Sequence, residues 1–145
     1  MNFQTAVKVF DPCTDSWRSL GKRAPHWLDW RSPTALVNGI IHWLTQTHKH
    51  KQYHEIVAFD YATEVFHEVP YPSCSSFRRN MYSLVELGGR LCAVVDAYCN
   101  GKIDLWAMKE YNVALSWSKD YIVGEHIHGN KRDFARIWET TICLL

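Results

Sequence analysis

The sequence predicts an all-β chain built from repeated antiparallel four-stranded sheets, and three observations carry that prediction. Apolar and polar residues alternate in runs such as Ile103-Asp104-Leu105-Trp106-Ala107-Met108, the pattern of a half-buried strand. A β-rich run leading through a turn to a bulky aromatic occurs three times. Val7–Asp11 passes through Thr14-Asp15 to Ser16-Trp17. Ile56–Asp60 passes through Thr63-Glu64 to Val65-Phe66, and Ile103–Met108 passes through a longer polar turn to Ser116-Trp117. A second kind of hairpin alternates with the first, joined by Asn38-Gly39 within 35–44 and by Gly88-Gly89 within 84–94. These dipeptides supply the positive φ angles that a two-residue hairpin turn requires.

The copies keep a constant spacing: 50 residues from Asn38 to Gly88, 49 from Asp11 to Asp60 and 51 from Phe66 to Trp117. The third turn carries about four extra residues. A period near fifty with two hairpins per period fits a four-stranded propeller blade. The repeat units then run approximately over 1–44, 53–94 and 102–145, about three blades. That is an incomplete ring, because closed propellers have at least four. One blade cannot bury both faces of its sheet, so neighbouring blades must stack. Trp17, Phe66 and Trp117 are expected at equivalent buried positions between blades, with Trp43 and Trp106 as further packing residues of the repeat. Full burial of such a ring is worth roughly 2–3 kcal/mol. Unrelated hairpins in a β-sandwich are the alternative reading.

Composition narrows the function. The chain has 145 residues, of which 47% are hydrophobic and seven are Trp, enough for one domain with a real core. A formal net charge of +1 gives no electrostatic reason to expect nucleic-acid binding. No apolar run approaches the length of a membrane span, and Met1-Asn2-Phe3-Gln4 lacks the basic and apolar regions of a signal peptide. The five cysteines, Cys13, Cys74, Cys92, Cys99 and Cys143, form no Cys-x-x-Cys pair. Reduced thiols in an intracellular protein, cytoplasmic or nuclear, are expected, with a Cys92–Cys99 bridge as the alternative.

Two segments carry candidate binding residues. The stretch 21–33 holds Trp27 and Trp30 beside Arg23, His26 and Arg31. Its indoles suit either the groove between blades or a protein-binding hot spot. The stretch 71–82 places Phe77, Arg78 and Arg79 together near Tyr82, a set able to grip an acidic or phosphorylated peptide or to sit in an ordinary solvated loop. His48, His50 and His54 have no fourth ligand of convincing spacing for zinc, and His126 and His128 have no third. No nucleophile elbow, P-loop or paired carboxylates are present. A binding scaffold without cofactor is expected, and not an enzyme. At the end, a short helix over 133–139 is an open alternative. Thr141–Leu145 reads as a strand with an unpaired edge, from which marginal stability and self-association are expected.

The same residues resemble a family. Trp106-Ala-Met-Lys-Glu-Tyr111 followed by Val113 and Ser116-Trp117 is similar to the signature of the plant F-box-associated domain of kelch-repeat-like F-box proteins. So are Val37-Asn-Gly-Ile-Ile-His-Trp-Leu44, Phe59-Asp-Tyr-Ala-Thr-Glu64 with Phe66-His-Glu-Val-Pro70, and Phe10-Asp11 with Thr14-Asp15-Ser16-Trp17. Four motifs in order span nearly the whole chain, without any F-box pattern. The resemblance implies a kelch-like β-propeller that selects target proteins for an SCF-type ubiquitin ligase. Skp adaptor and cullin would join only through an F-box absent here. Some such domains resemble lectins, so the target protein can be a glycoprotein. A carbohydrate-binding or kelch-oxidase-like propeller unrelated to ubiquitin is the rival expectation.

Overall fold

A computed structural model describes residues 6–24, 28, 32–45, 55–71, 81–97 and 102–125. Ten strands follow in order: β1 (Ala6–Asp11), β2 (Ser16–Arg23), β3 (Ala35–Val37), β4 (Ile40–Leu44), β5 (Ile56–Asp60), β6 (Val65–Val69), β7 (Met81–Leu87), β8 (Arg90–Ala97), β9 (Lys102–Met108) and β10 (Trp117–Glu125). Strands β3 to β6 form one four-stranded antiparallel sheet and β7 to β10 a second, each in sequence order. Strands β1 and β2 pair only with each other among the described residues.

The fifty-residue period is therefore correct, but its phase is not that of the units 1–44, 53–94 and 102–145. A hydrogen-bonded blade starts at the Asn-Gly or Gly-Gly hairpin and ends with the aromatic hairpin. The sequence pattern is periodic and so carries no origin; backbone pairing chooses one. Ile40–Leu44 pair with Ile56–Asp60 across 45–55, whereas β2 does not pair with β3.

Turn chemistry explains why the hairpins form where they do. Asn38 and Gly39 have φ of 51° and 78°, and Gly88 and Gly89 have 57° and 77°, the mirror-image turn whose twist matches the strands. An added Cβ at Gly39 would meet nothing within 4 Å, so Gly39→Ala isolates backbone strain from steric clash. It is expected to cost about 1–2 kcal/mol by urea unfolding. In the aromatic hairpins the first Asp closes the turn. Asp60 Oδ1 accepts from the backbone N–H groups of Ala62 at 2.8 Å and Thr63 at 3.2 Å, and Asp11 Oδ1 accepts from Cys13 at 2.9 Å. These donors hold the Asp60 carboxyl below its usual range. Each turn then ends on a left-handed residue, Asp15 (φ 48°) or Glu64 (φ 55°).

The main core lies between the two blades. Ala35, Val37, Leu44, Ile56, Ala58 and Val69 of the first meet Met81, Leu84, Leu91, Ala93, Val95, Met108 and Trp117 of the second. On the opposite face of the second blade, Cys92, Val94, Ile103, Leu105 and Ala107 form another buried cluster. Strand β5 is buried from Ile56 to Phe59, as a central strand with both faces covered must be. Cys92 is a free thiol, not bridged to Cys99, and burial pushes its pKa up to about 11. Because the thiolate is the reactive form, Cys92 is expected to resist alkylation at pH 8 until the chain unfolds. The exposed Cys13 should label at once; peptide mapping of labelled cysteines separates the two.

Candidate functional site

The three aromatic pairs occupy equivalent register. Phe10 faces Trp17, Phe59 faces Phe66 and Met108 faces Trp117. Their burial is not equivalent, which corrects the expectation for Trp17. Trp117 is 6% exposed, whereas Trp17 is 68% exposed, and Phe66, Trp43 and Trp106 are half-buried. Trp117 is covered because its face looks back onto the first blade, where its indole Nε1 donates to the Pro70 carbonyl at 2.8 Å. The Phe10–Trp17 pair, with ring centroids 5.2 Å apart, looks away from that blade and nothing among the described residues covers it. On the inner face Arg18 pairs with Glu64, and Lys22 Nζ reaches the Glu64 carbonyl at 2.9 Å. These contacts tie the hairpin to the first blade.

The long third turn builds a polar clasp across the seam. Within it Val113 N–H donates to Glu110 O, Ser116 N–H donates to Val113 O, and Lys109 N–H donates to Ser116 O. Tyr111 is thereby carried over to the first blade. There Ala35, His42, Ala58 and His67 stand in one cross-strand row. The small Ala58 between two imidazoles leaves room for the phenol. His42, with no exposed surface, has Nδ1 3.1 Å from the Ala35 carbonyl, so Nδ1 carries the proton and donates. Its Nε2 is then the acceptor for the Tyr111 hydroxyl at 2.8 Å, and that oxygen accepts from His67 Nε2 at 3.0 Å. Desolvation by burial is the main cause that pushes the His42 pKa down. Burial, helped by the Asp60 charge, pushes Tyr111 up to about 12. The neutral forms of both groups belong to the folded state. Sequence reading passed over this clasp, because His42, His67 and Tyr111 are separated in the chain and only stacking joins them. The four extra residues of the third turn were its one visible signal.

The sheet register also sorts the connections. All four hairpin turns within and before the blades (12–15, 38–39, 61–64 and 88–89), together with the turn 109–116, lie at one end of the strands. Arg23, Ala35, Thr45, Ile56, Val69, Met81, Ala97 and Lys102 stand at or next to strand ends on the opposite side. Leu28 makes a bridge to Thr45 there. Trp27, Trp30, Phe77, Arg78 and Arg79 lie outside the described residues, as do His48, His50, His54, Cys99 and the whole of 126–145 with its expected helix and edge strand. Among the described residues, no group of three or more His, Cys, Asp or Glu stands close enough to hold a metal. No described helix is long and apolar enough to cross a membrane.

Antiparallel four-stranded blades, stacked face to face on a shared core and clasped by Tyr111 of the long turn, define a β-propeller. The narrower class comes from comparison with known proteins. The F-box associated beta propeller domain matches residues 1–138, and the chain belongs to that family. It is 45% identical over 129 residues to the F-box protein At3g07870 of Arabidopsis thaliana, covering 86% of this chain and 30% of that protein. It is 30% identical over 136 residues to the F-box protein CPR1 of the same plant, covering 84% of this chain and 32% of that protein. To the F-box/kelch-repeat protein At3g23880, also of Arabidopsis thaliana, it is 31% identical over 84 residues, 57% of this chain and 22% of that protein. The chain thus spans less than a third of the length of these relatives.

Proposed function

We propose that this chain is target-selecting surface of an SCF-type ubiquitin ligase receptor: a non-catalytic, intracellular module that holds a protein, in the cytoplasm or nucleus, while other subunits transfer ubiquitin. Membership of the F-box-associated family supports this reading most directly. The register adds a second support. The described strand ends that flank the segments carrying Trp27, Trp30, Phe77, Arg78 and Arg79 stand opposite the tight turns: Arg23 and Ala35 around the first, Val69 and Met81 around the second. Loops on a rigid scaffold are where specificity is usually built. In this reading the indoles supply apolar anchors, and Arg78 and Arg79 grip an acidic or phosphorylated stretch of the target.

Affinity capture with residues 1–145 from plant extract tests it. Retention of a specific protein, lost in Arg78→Glu/Arg79→Glu or Trp27→Ala/Trp30→Ala, is the expected result. Loss of retention after enzymatic deglycosylation of the extract would make the target a glycoprotein. The chain by itself is expected not to retain the Skp adaptor. Direct formation of a Skp complex by residues 1–145, or equal retention by both double variants, would overturn the assignment.

A further inference from the structure

The hydrogen bonds of the Tyr111 clasp all run in one direction, and that direction makes it sensitive to acid. His67 Nε2–H donates to the Tyr111 oxygen, the Tyr111 hydroxyl donates to His42 Nε2, and His42 Nδ1–H donates to the Ala35 carbonyl. His42 Nε2 serves as an acceptor only while it is unprotonated. The ring has no exposed surface, whereas Tyr111 is 37% exposed and His67 is half-buried. The elements around His42 offer little to balance a charge. Strand β3 contributes the Ala35 carbonyl, β5 contributes Ala58, β6 contributes His67 and the long turn contributes Tyr111. The Asp60 charge bears on Tyr111 and on His67, and the like charge of His67 opposes one on His42. The remaining residues of the shared core are apolar.

We propose that the clasp is an acid-released latch between the two blades: a proton on His42 Nε2 frees the turn 109–116 from the first blade while both sheets stay folded. The latch belongs to the fold and holds whatever the chain binds. Protonation turns Nε2 from acceptor into donor. The Tyr111 oxygen then faces N–H groups at 2.8 and 3.0 Å, and its own hydrogen has lost its acceptor. Reversing the chain, so that the phenol donates to His67, is open only to a neutral His67. It still leaves a buried imidazolium without water, a costly state. Both penalties disappear when the turn lifts, because water then reaches His42 Nε2 and the Tyr111 hydroxyl together. The turn can lift as a unit, held by its own bonds from Val113 to Glu110 and from Ser116 to Val113. Beneath it the apolar core and the Trp117 bond to Pro70 keep the blades joined. Burial lowers the His42 pKa from 6.5. The closed form is therefore favoured above that pH, and opening grows as pH falls through the range beneath it.

Hydroxyl-radical footprinting of the intact chain at pH 7.5 and 5.5, read by mass spectrometry, tests this. Oxidation of the exposed Trp17 normalises the dose. At the lower pH oxidation at His42 and Tyr111 is expected to rise about three- to tenfold, while Met81 and Phe59, buried in the two sheets, stay protected. In His42→Gln an uncharged acceptor stands near the place of Nε2, so Tyr111 should be oxidised equally at both pH values. In Tyr111→Phe the latch is already open, and His42 should be oxidised at pH 7.5 with no further rise in acid. Unchanged oxidation of His42 between the two pH values would overturn the proposal. So would an acid rise at Tyr111 that persists in His42→Gln, or a parallel rise at Met81 and Phe59, which reports opening of the whole fold. Circular dichroism at pH 7.5 verifies that each variant folds. If His42→Gln does not, Tyr111→Phe decides, and an acid rise at His42 as large as in the parent chain overturns the latch.

Discussion

Trp117→Ala is expected to destabilise the chain by about 3–5 kcal/mol, the range of large aromatic truncations in a core, while Trp17→Ala costs under about 1 kcal/mol. The two tryptophans have the same place in the repeat, so sequence alone predicts equal losses. Only Trp117 is sealed under the neighbouring blade, 6% exposed against 68% for Trp17. Its removal opens a cavity in the core shared by the two blades, beside its strand partner Met108, and takes the hydrogen-bond donor away from the Pro70 carbonyl. Urea unfolding of both variants measures the difference. Equal losses would mean that the blades do not stack as described.

Stability is expected to be greatest between about pH 6.5 and 10 and to fall on both sides, because the Tyr111 clasp requires two neutral groups. The folded-state pKa of His42 is lowered from 6.5. As pH falls below 6.5 the unfolded chain takes up a proton that the folded chain refuses, and stability declines until the folded pKa is reached. The folded-state pKa of Tyr111 is raised from 10 to about 12. Stability from that group is fully present below pH 10 and is lost as pH climbs toward 12, because the unfolded phenol ionises first. Tyr111→Phe removes the alkaline contribution of this site and leaves His42 Nε2 buried without a donor. It should cost about 1–3 kcal/mol at neutral pH. Thermal melts from pH 5 to 11 on both proteins check this. An unchanged alkaline limb in Tyr111→Phe would remove the clasp from the account.

The outcome for the three aromatic hairpins shows where reading by pattern stops. Asp11, Asp60 and the residues after them announce their turns locally, since an aspartate closing on the next backbone N–H groups is a short-range event. Asn38-Gly39 and Gly88-Gly89 do the same through φ. The all-β class, the antiparallel hairpins and the family resemblance were therefore legible, and they agree with the fold and with the family match. The origin of the blade was not, because a periodic string looks the same from any starting point.

Sequence by itself determined the strands, the turns, the fifty-residue period and the equivalence of Trp17, Phe66 and Trp117, because each of these depends on residues within one or two hairpins of each other. Tertiary structure alone decided which hairpins share a sheet, which tryptophan is buried, and that His42, His67 and Tyr111 meet. Those outcomes depend on what covers a face. Burial is a property of the neighbour across the seam, and that neighbour can lie tens of residues away in the chain, as Pro70 does from Trp117.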